Sequence, residues 1–205
     1  MKTITAITAQ KKDAKRCNIY LDGAYFCGME LITVISNRLK VGMQIEESAL
    51  ENMQAESETQ RATDKAFNYI GGSLKTEKQL RTYLSGKGYM PAVVDNVVEK
   101  IKGYGYIDDK EYAAAYVESY SKNKGKRLIL KELNAKGVSS SAAEEAIENI
   151  ENELDSAIRI AQKYLKNKEP CIENKQKCYR RLLSKGFDFY TAKEAVEKVL
   201  DDEDL

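Results

Sequence analysis

The chain has 205 residues, 33 of them basic and 32 acidic, so its net charge of +1 gives no global pull toward a polyanion. Apolar residues make up 42% and charged residues 32%, enough for a core beneath a heavily charged surface. There is no histidine, which excludes Ser-His-Asp and Cys-His catalysis and His-ligated zinc. No apolar run approaches the roughly 18 residues of a membrane span, and Met1–Thr5 does not open a secretory signal, so a soluble, cytoplasmic protein is expected.

Residues 1–60 read as an N-terminal β-hairpin with short helices. Thr3–Ile7 alternates, and Asn18–Leu21 meets Asp22-Gly23 before Ala24–Cys27. An Asp-Gly pair between β-forming runs signals a type I′ turn, which needs positive φ at both central residues. A short helix is expected over Leu31–Lys40, and a second short one within the polar, acidic stretch 46–60. A segment this small has to lean on a neighbour to bury its apolar face.

From residue 61 the sequence is helical and repeats. Lys87-Gly88, Lys136-Gly137 and Lys185-Gly186 are spaced 49 residues apart. Four residues before each glycine stand Leu84, Leu133 and Leu182, and one after it Tyr89, Val138 and Phe187. Further columns hold Val97, Ala146 and Ala195, then Ile101, Ile150 and Val199. Such agreement predicts three tandem three-helix modules, over 61–107, 108–155 and 156–205, the last with an acidic tail. Each glycine falls at the C′ position of a middle helix, where the leucine and the following apolar residue meet in a Schellman cap. Ser139 and Asp188 are placed to cap the next helix, Met90-Pro91 to open it, and Thr76-x-x-Gln79 to form a capping box. The expected class is mostly α: an elongated, curved solenoid of three repeats after a β-hairpin/α extension.

The four cysteines, Cys17, Cys27, Cys171 and Cys178, form no Cys-x-x-Cys pair and read as reduced thiols. Cys178 shares a column with Leu80 and Ile129, which makes it a core residue. Phosphate-loop, dinucleotide and nucleophile-elbow motifs are absent from the sequence. After Gly105, the pair Asp108-Asp109 reads as a helix N-cap followed by a first-turn acid.

Charge is distributed unevenly inside the neutral total. Residues 122–136 hold six basic residues and one acidic, and residues 159–187 hold nine and two. Residues 141–155 hold six acidic residues and no basic one. A surface split in this way suits a charged macromolecule or an oppositely patterned partner, against the plainer reading of solvated helix faces. The contact candidates are Lys124, Lys126, Arg127, Lys131, Arg180, Arg181 and Lys185, with the acids Glu144, Glu145 and Glu148 on the opposite account. Tyrosines number thirteen, and Tyr179-Arg180-Arg181 sets one inside a basic cluster.

The string Gly105-Tyr106-Ile107-Asp108-Asp109-Lys110-Glu111-Tyr112-Ala113, then Lys124-Gly125 and Glu132-Leu133-Asn134-Ala135-Lys136-Gly137-Val138, resembles the RecX family of recombination regulators. The resemblance covers about residues 61–200, and the N-terminal part is similar to an extension found in some members. Two departures are that Tyr112 stands where the family often has phenylalanine, and Lys75-Thr76 where it tends to have Arg-Ser. A lysine there gives up the bidentate contact that a guanidinium makes. The resemblance implies a non-enzymatic protein that binds the RecA filament on single-stranded DNA, within its helical groove; a monomer without cofactor is expected, since a capped solenoid gives no reason for a dimer. It further implies inhibition of RecA ATPase and strand exchange in homologous recombination, DNA repair and the SOS response, with weak direct DNA binding in some members. The alternatives are a helical-repeat protein that binds DNA, or a scaffold, acting independently of RecA.

Overall fold

The computed structural model describes residues 1–11 and 13–201; of the acidic tail read at Asp201–Asp204, residues 202–204 lie outside them. Two compact units result, one of residues 1–74 and 80–106, the other of residues 75–79 and 107–205.

The first unit opens with β1 (Lys2–Gln10), β2 (Asp13–Leu21) and β3 (Ala24–Glu30), followed by α1 (Leu31–Ser36) and β4 (Gln44–Ile45). They form one antiparallel sheet in the order β3-β2-β1-β4, with Ile7 opposite Ile19 and Ile19 opposite Cys27. Asp22 and Gly23 take φ of 46° and 85°, the positive pair that the Asp-Gly turn requires. Cys17, Ile19 and Leu21 recur at period two and are buried with Cys27 and Met29.

That face is covered by α2 (Glu47–Ile70), which buries Leu50 and packs Ala49 and Met53 on the same cluster. Here the structure corrects the expectation of a short helix in 46–60. One 24-residue helix passes through that stretch and beyond residue 60. Its polar residues find partners on the sheet. Ser57 is buried and its hydroxyl accepts the Glu30 N–H at 2.9 Å. The Arg16 guanidinium bonds Glu58 at 2.7 Å and the Gly28 carbonyl at 3.1 Å, while Arg61 meets Asp13 at 3.2 Å. These contacts are hydrogen-bonded, so they offset the cost of taking the charges out of water and fix which face of α2 meets the sheet.

The remaining helices are α3 (Glu77–Gly86), α4 (Pro91–Gly103), α5 (Asp109–Tyr120), α6 (Lys126–Lys136), α7 (Ser140–Glu148), α8 (Glu153–Leu165), α9 (Ile172–Ser184) and α10 (Phe189–Asp201). The glycine columns do what their spacing predicts. Gly88, Gly137 and Gly186 have φ of 87°, 97° and 88°. The N–H after each glycine donates back to Leu84, Leu133 or Leu182, at 3.4, 3.1 and 3.2 Å, closing three Schellman caps. All three leucines are fully buried. Ser139 and Asp188 cap α7 and α10 through the amides of Ala142 and Thr191, and Thr76 and Gln79 bond reciprocally at 3.0 and 3.2 Å.

Within the second unit, α5–α7 close over Ala113, Ile129, Leu133 and Ala143, and α8–α10 over Ala157, Cys178, Leu182 and Phe187. All four cysteines are free, and only Cys171 is exposed. The two helix triplets interlock by backbone. Gly125, the N-cap of α6, donates to the Lys185 carbonyl at 2.9 Å, and the Arg127 N–H to Gly186 at 3.2 Å. A Cβ on Gly125 would stand 2.4 Å from the Gly186 backbone, so only glycine permits the approach. The same joint recurs 49 residues earlier in the same unit, where the Thr76 hydroxyl donates to the Lys136 carbonyl at 2.6 Å and Lys78 lies against Gly137.

Candidate functional site

Asp108 accepts the amides of Lys110 and Glu111, at 2.8 and 3.2 Å, as the N-cap of α5. Asp109 does more than sit in the first turn. Its carboxylate accepts the Glu77 N–H at 2.9 Å and so ties α5 to the start of α3. Gly105, with φ of 74°, ends α4 by the same kind of cap as the Lys-Gly turns, Tyr106 donating to Ile101 at 3.2 Å. Among the described residues, no His/Cys/Asp/Glu group of three or more is placed to hold a metal, and no helix is long and apolar enough to cross a membrane.

The seven basic candidates do not form one patch. Lys124 is committed inside the module: its ammonium bonds Glu132 at 2.6 and 2.8 Å and lies 4.3 Å from the Tyr120 ring centre, while Tyr116 donates to the same carboxylate at 2.7 Å. Burial works to raise the Glu132 pKa, but the bonds from Lys124 and Tyr116 outweigh it and hold the carboxyl below its ordinary range. Lys126 is half-buried and its backbone N–H caps onto Glu153 at 2.8 Å. Arg127 and Lys131 are exposed on α6. Arg180 and Arg181 are consecutive in sequence, hence about 100° apart around α9, and they line different cavities.

Arg181 and Lys185 belong to a basin of about 500 Å³ in the second unit. Its other cations are Lys122, Arg159, Lys163, Lys166 and Lys168, and no carboxylate lines it. Local structure explains the gathering. Arg159 and Lys163 lie one turn apart on α8, so they share a face. Asn167 takes φ of 64°, a conformation asparagine tolerates, in the loop that carries Lys166 and Lys168. Tyr164 stands among them, with the Lys168 ammonium 3.3 Å and the Arg181 guanidinium 5.5 Å from its ring centre. Its ring holds the cations in place, and they satisfy the ring's negative face. The Arg159 guanidinium is held by Ser156 at 3.0 Å, and Lys185 reaches the Asn123 carbonyl at 3.4 Å. Among the described residues, none of the seven is within ion-pair distance of an acid. A concave set of seven unneutralised cations attracts an extended polyanion.

Of these seven residues, sequence reading singled out Arg181 and Lys185. The nine-to-two charge excess over 159–187 marked the region, but that Lys122 and α8 share one basin with α9 follows only from the packing of the triplets.

The family model described as "Regulatory protein RecX N-terminal domain" matches residues 2–46, "RecX, first three-helix domain" residues 62–100, and "RecX, second three-helix domain" residues 108–147. The chain is 32% identical to the regulatory protein RecX of Clostridium botulinum (strain Eklund 17B / Type B), over 98% of this chain and 97% of that one. It is 29% identical to the regulatory protein RecX of Bacillus subtilis (strain 168), covering 97% of this chain and 78% of that one. A solved structure titled "Crystal structure of regulatory protein RecX" superposes with a TM-score of 0.68 at 26% identity, over 98% of this chain and 100% of that one.

Proposed function

The chain belongs to the RecX family of regulatory proteins, and on that premise we propose that it regulates the RecA recombinase by binding the RecA filament on single-stranded DNA. It acts there as a negative regulator of ATP turnover and strand exchange in recombination and repair. It works as a cytoplasmic monomer and by binding rather than by catalysis. The observation that carries this reading is the acid-free basin of Lys122, Arg159, Lys163, Lys166, Lys168, Arg181 and Lys185. Its field suits the phosphates of the filament's strand and acidic filament surface alike. Lys131 and Arg127, exposed on α6, extend the basic contact. Lys124 supports it indirectly by fixing α5 against α6. The acids Glu144, Glu145 and Glu148 on α7 meet basic patches of a neighbouring protomer; Glu145 already pairs with Lys110 at 2.8 Å. Tandem modules on one chain let individually weak contacts add through effective concentration, so protomers are bridged and their rearrangement during turnover is slowed.

The test is charge reversal in the basin. With Arg181→Glu and Lys185→Glu combined, the concentration needed for half-inhibition of the cognate RecA's DNA-dependent ATPase rises about tenfold or more, since two charge contacts are lost. Circular dichroism confirms the fold of the variant. Undiminished inhibition by this folded variant would remove the basin from the proposal.

A further inference from the structure

The 49-residue columns also compare the cleft between the middle and third helix of each module. In the first module Arg81 and Asp95 close it with an ion pair at 2.5 Å. The same columns hold Leu130 and Glu144 in the second module, and Tyr179 and Lys193 in the third. Among the described residues, no ion pair closes the third cleft: Lys193 turns along its own helix to Glu197, at 3.9 Å. A groove of about 500 Å³ lies open there between α9 and α10.

Its character differs from that of the basin. Ile172, Tyr179 and Val196 line it, and Ile172 is 77% exposed, a large cost for a branched apolar residue with nothing to cover it. The Tyr179 hydroxyl is buried without a hydrogen-bond partner, while its half-buried ring forms part of the lining. Lys175 and Arg180 stand on the lining with no acid in ion-pair range among the described residues, and Arg180 reaches only the Gln176 carbonyl, at 3.4 Å. Lys193 and Glu197, paired with each other, complete the charged lining, which leaves Lys175 and Arg180 as its net charge; an apolar floor with that cationic rim is complementary to an acidic ligand.

We propose that this groove docks an acidic amphipathic helix of a protein partner. Apolar side chains at i and i+3 or i+4 of that helix cover Ile172 and the half-buried Tyr179 ring, and its carboxylates pair with Lys175 and Arg180. The basin is lined by seven cations and no acid, whereas this groove carries an exposed isoleucine, one aromatic ring and a carboxylate, which sets it apart. The inference does not rest on the regulatory reading, because its test contains neither RecA nor DNA.

The test is fluorescence anisotropy of the full chain with a labelled amphipathic model peptide of about 18 residues, leucines on one face and glutamates on the other. Two control peptides replace the glutamates by lysine or the leucines by serine. The Leu/Glu peptide binds, both controls bind at least about fivefold more weakly, and Ile172→Glu and Arg180→Glu each weaken it by about fivefold or more. Both substitutions are at exposed positions, so the fold survives; Lys15→Glu, exposed on β2, leaves binding unchanged. Equal binding of either control peptide, or indifference to Ile172→Glu and Arg180→Glu, overturns the proposal. So does self-association in sedimentation that Ile172→Glu abolishes, which would assign the groove to a second copy of the chain.

Discussion

Gly88 and Gly186 occupy the same column, close the same cap and have φ of 87° and 88°, yet their surroundings differ. A Cβ built on Gly88 meets nothing within 4 Å, whereas one on Gly186 would lie 2.3 Å from the Leu128 Cβ and 2.4 Å from the Leu128 backbone nitrogen. Alanine at either position incurs the left-handed penalty of about 1–2 kcal/mol. Its effect on unfolded-chain entropy is the same at both and cancels in the difference. Only at Gly186 must the helix triplets also separate, at an overpacking cost of about 1–3 kcal/mol. Gly186→Ala therefore destabilises more than Gly88→Ala by about 1–3 kcal/mol, or roughly 2–12 °C in melting temperature for a chain of this size. Thermal and urea unfolding followed by circular dichroism measure both. Equal losses would mean that the backbone contact of α6 with the Lys185-Gly186 turn does not hold the modules, and the reasoning would fail.

Asp188 caps α10 through the Thr191 N–H, and this bond holds its carboxyl below the ordinary aspartate range. Because the folded pKa is depressed, its contribution is present above the unfolded pKa and is lost as pH falls through the folded one. Asp188→Ala therefore costs about 1 kcal/mol at neutral pH, and its gap from the parent narrows below about pH 4 in urea titrations. Lys124→Met breaks the Glu132 bond and lowers stability by about 1 kcal/mol, while DNA affinity measured by anisotropy changes less than it does for Arg181→Glu. Binding to oligo-dT weakens with salt, and Arg181→Ala makes the slope of log affinity against log salt shallower by about 0.7. An unchanged slope would exclude Arg181 from phosphate contact.

How much of this was legible in the sequence follows from how local each signal is. The Schellman caps at Gly88, Gly137 and Gly186 and the N-caps at Ser139 and Asp188 are fixed by residues within about one turn, so they were readable. The type I′ turn at Asp22-Gly23 was readable for the same reason. The length of α2 was not, because Ser57, Glu58 and Arg61 are polar and interrupt the apolar period; their places on the helix face depend on Glu30, Arg16 and Asp13 of the sheet. The basic face was legible as a count of charges but not as a surface. Arg180 and Arg181 look equivalent in a string and diverge on a helix, whereas Lys122 and Lys163 are 41 positions apart and line one basin. Lys124 reads as a surface cation until the fold brings Glu132 and the Tyr116 and Tyr120 rings to it.

The most direct measurement is the DNA-dependent ATPase of the cognate RecA titrated with this protein, with binding to bare single strand followed in the same buffer. Inhibition at concentrations well below those that saturate the bare strand is the result predicted for a filament regulator. An ATPase that stays unchanged throughout the titration would contradict the account, and inhibition that sets in only as the strand saturates would reduce it to competition for DNA.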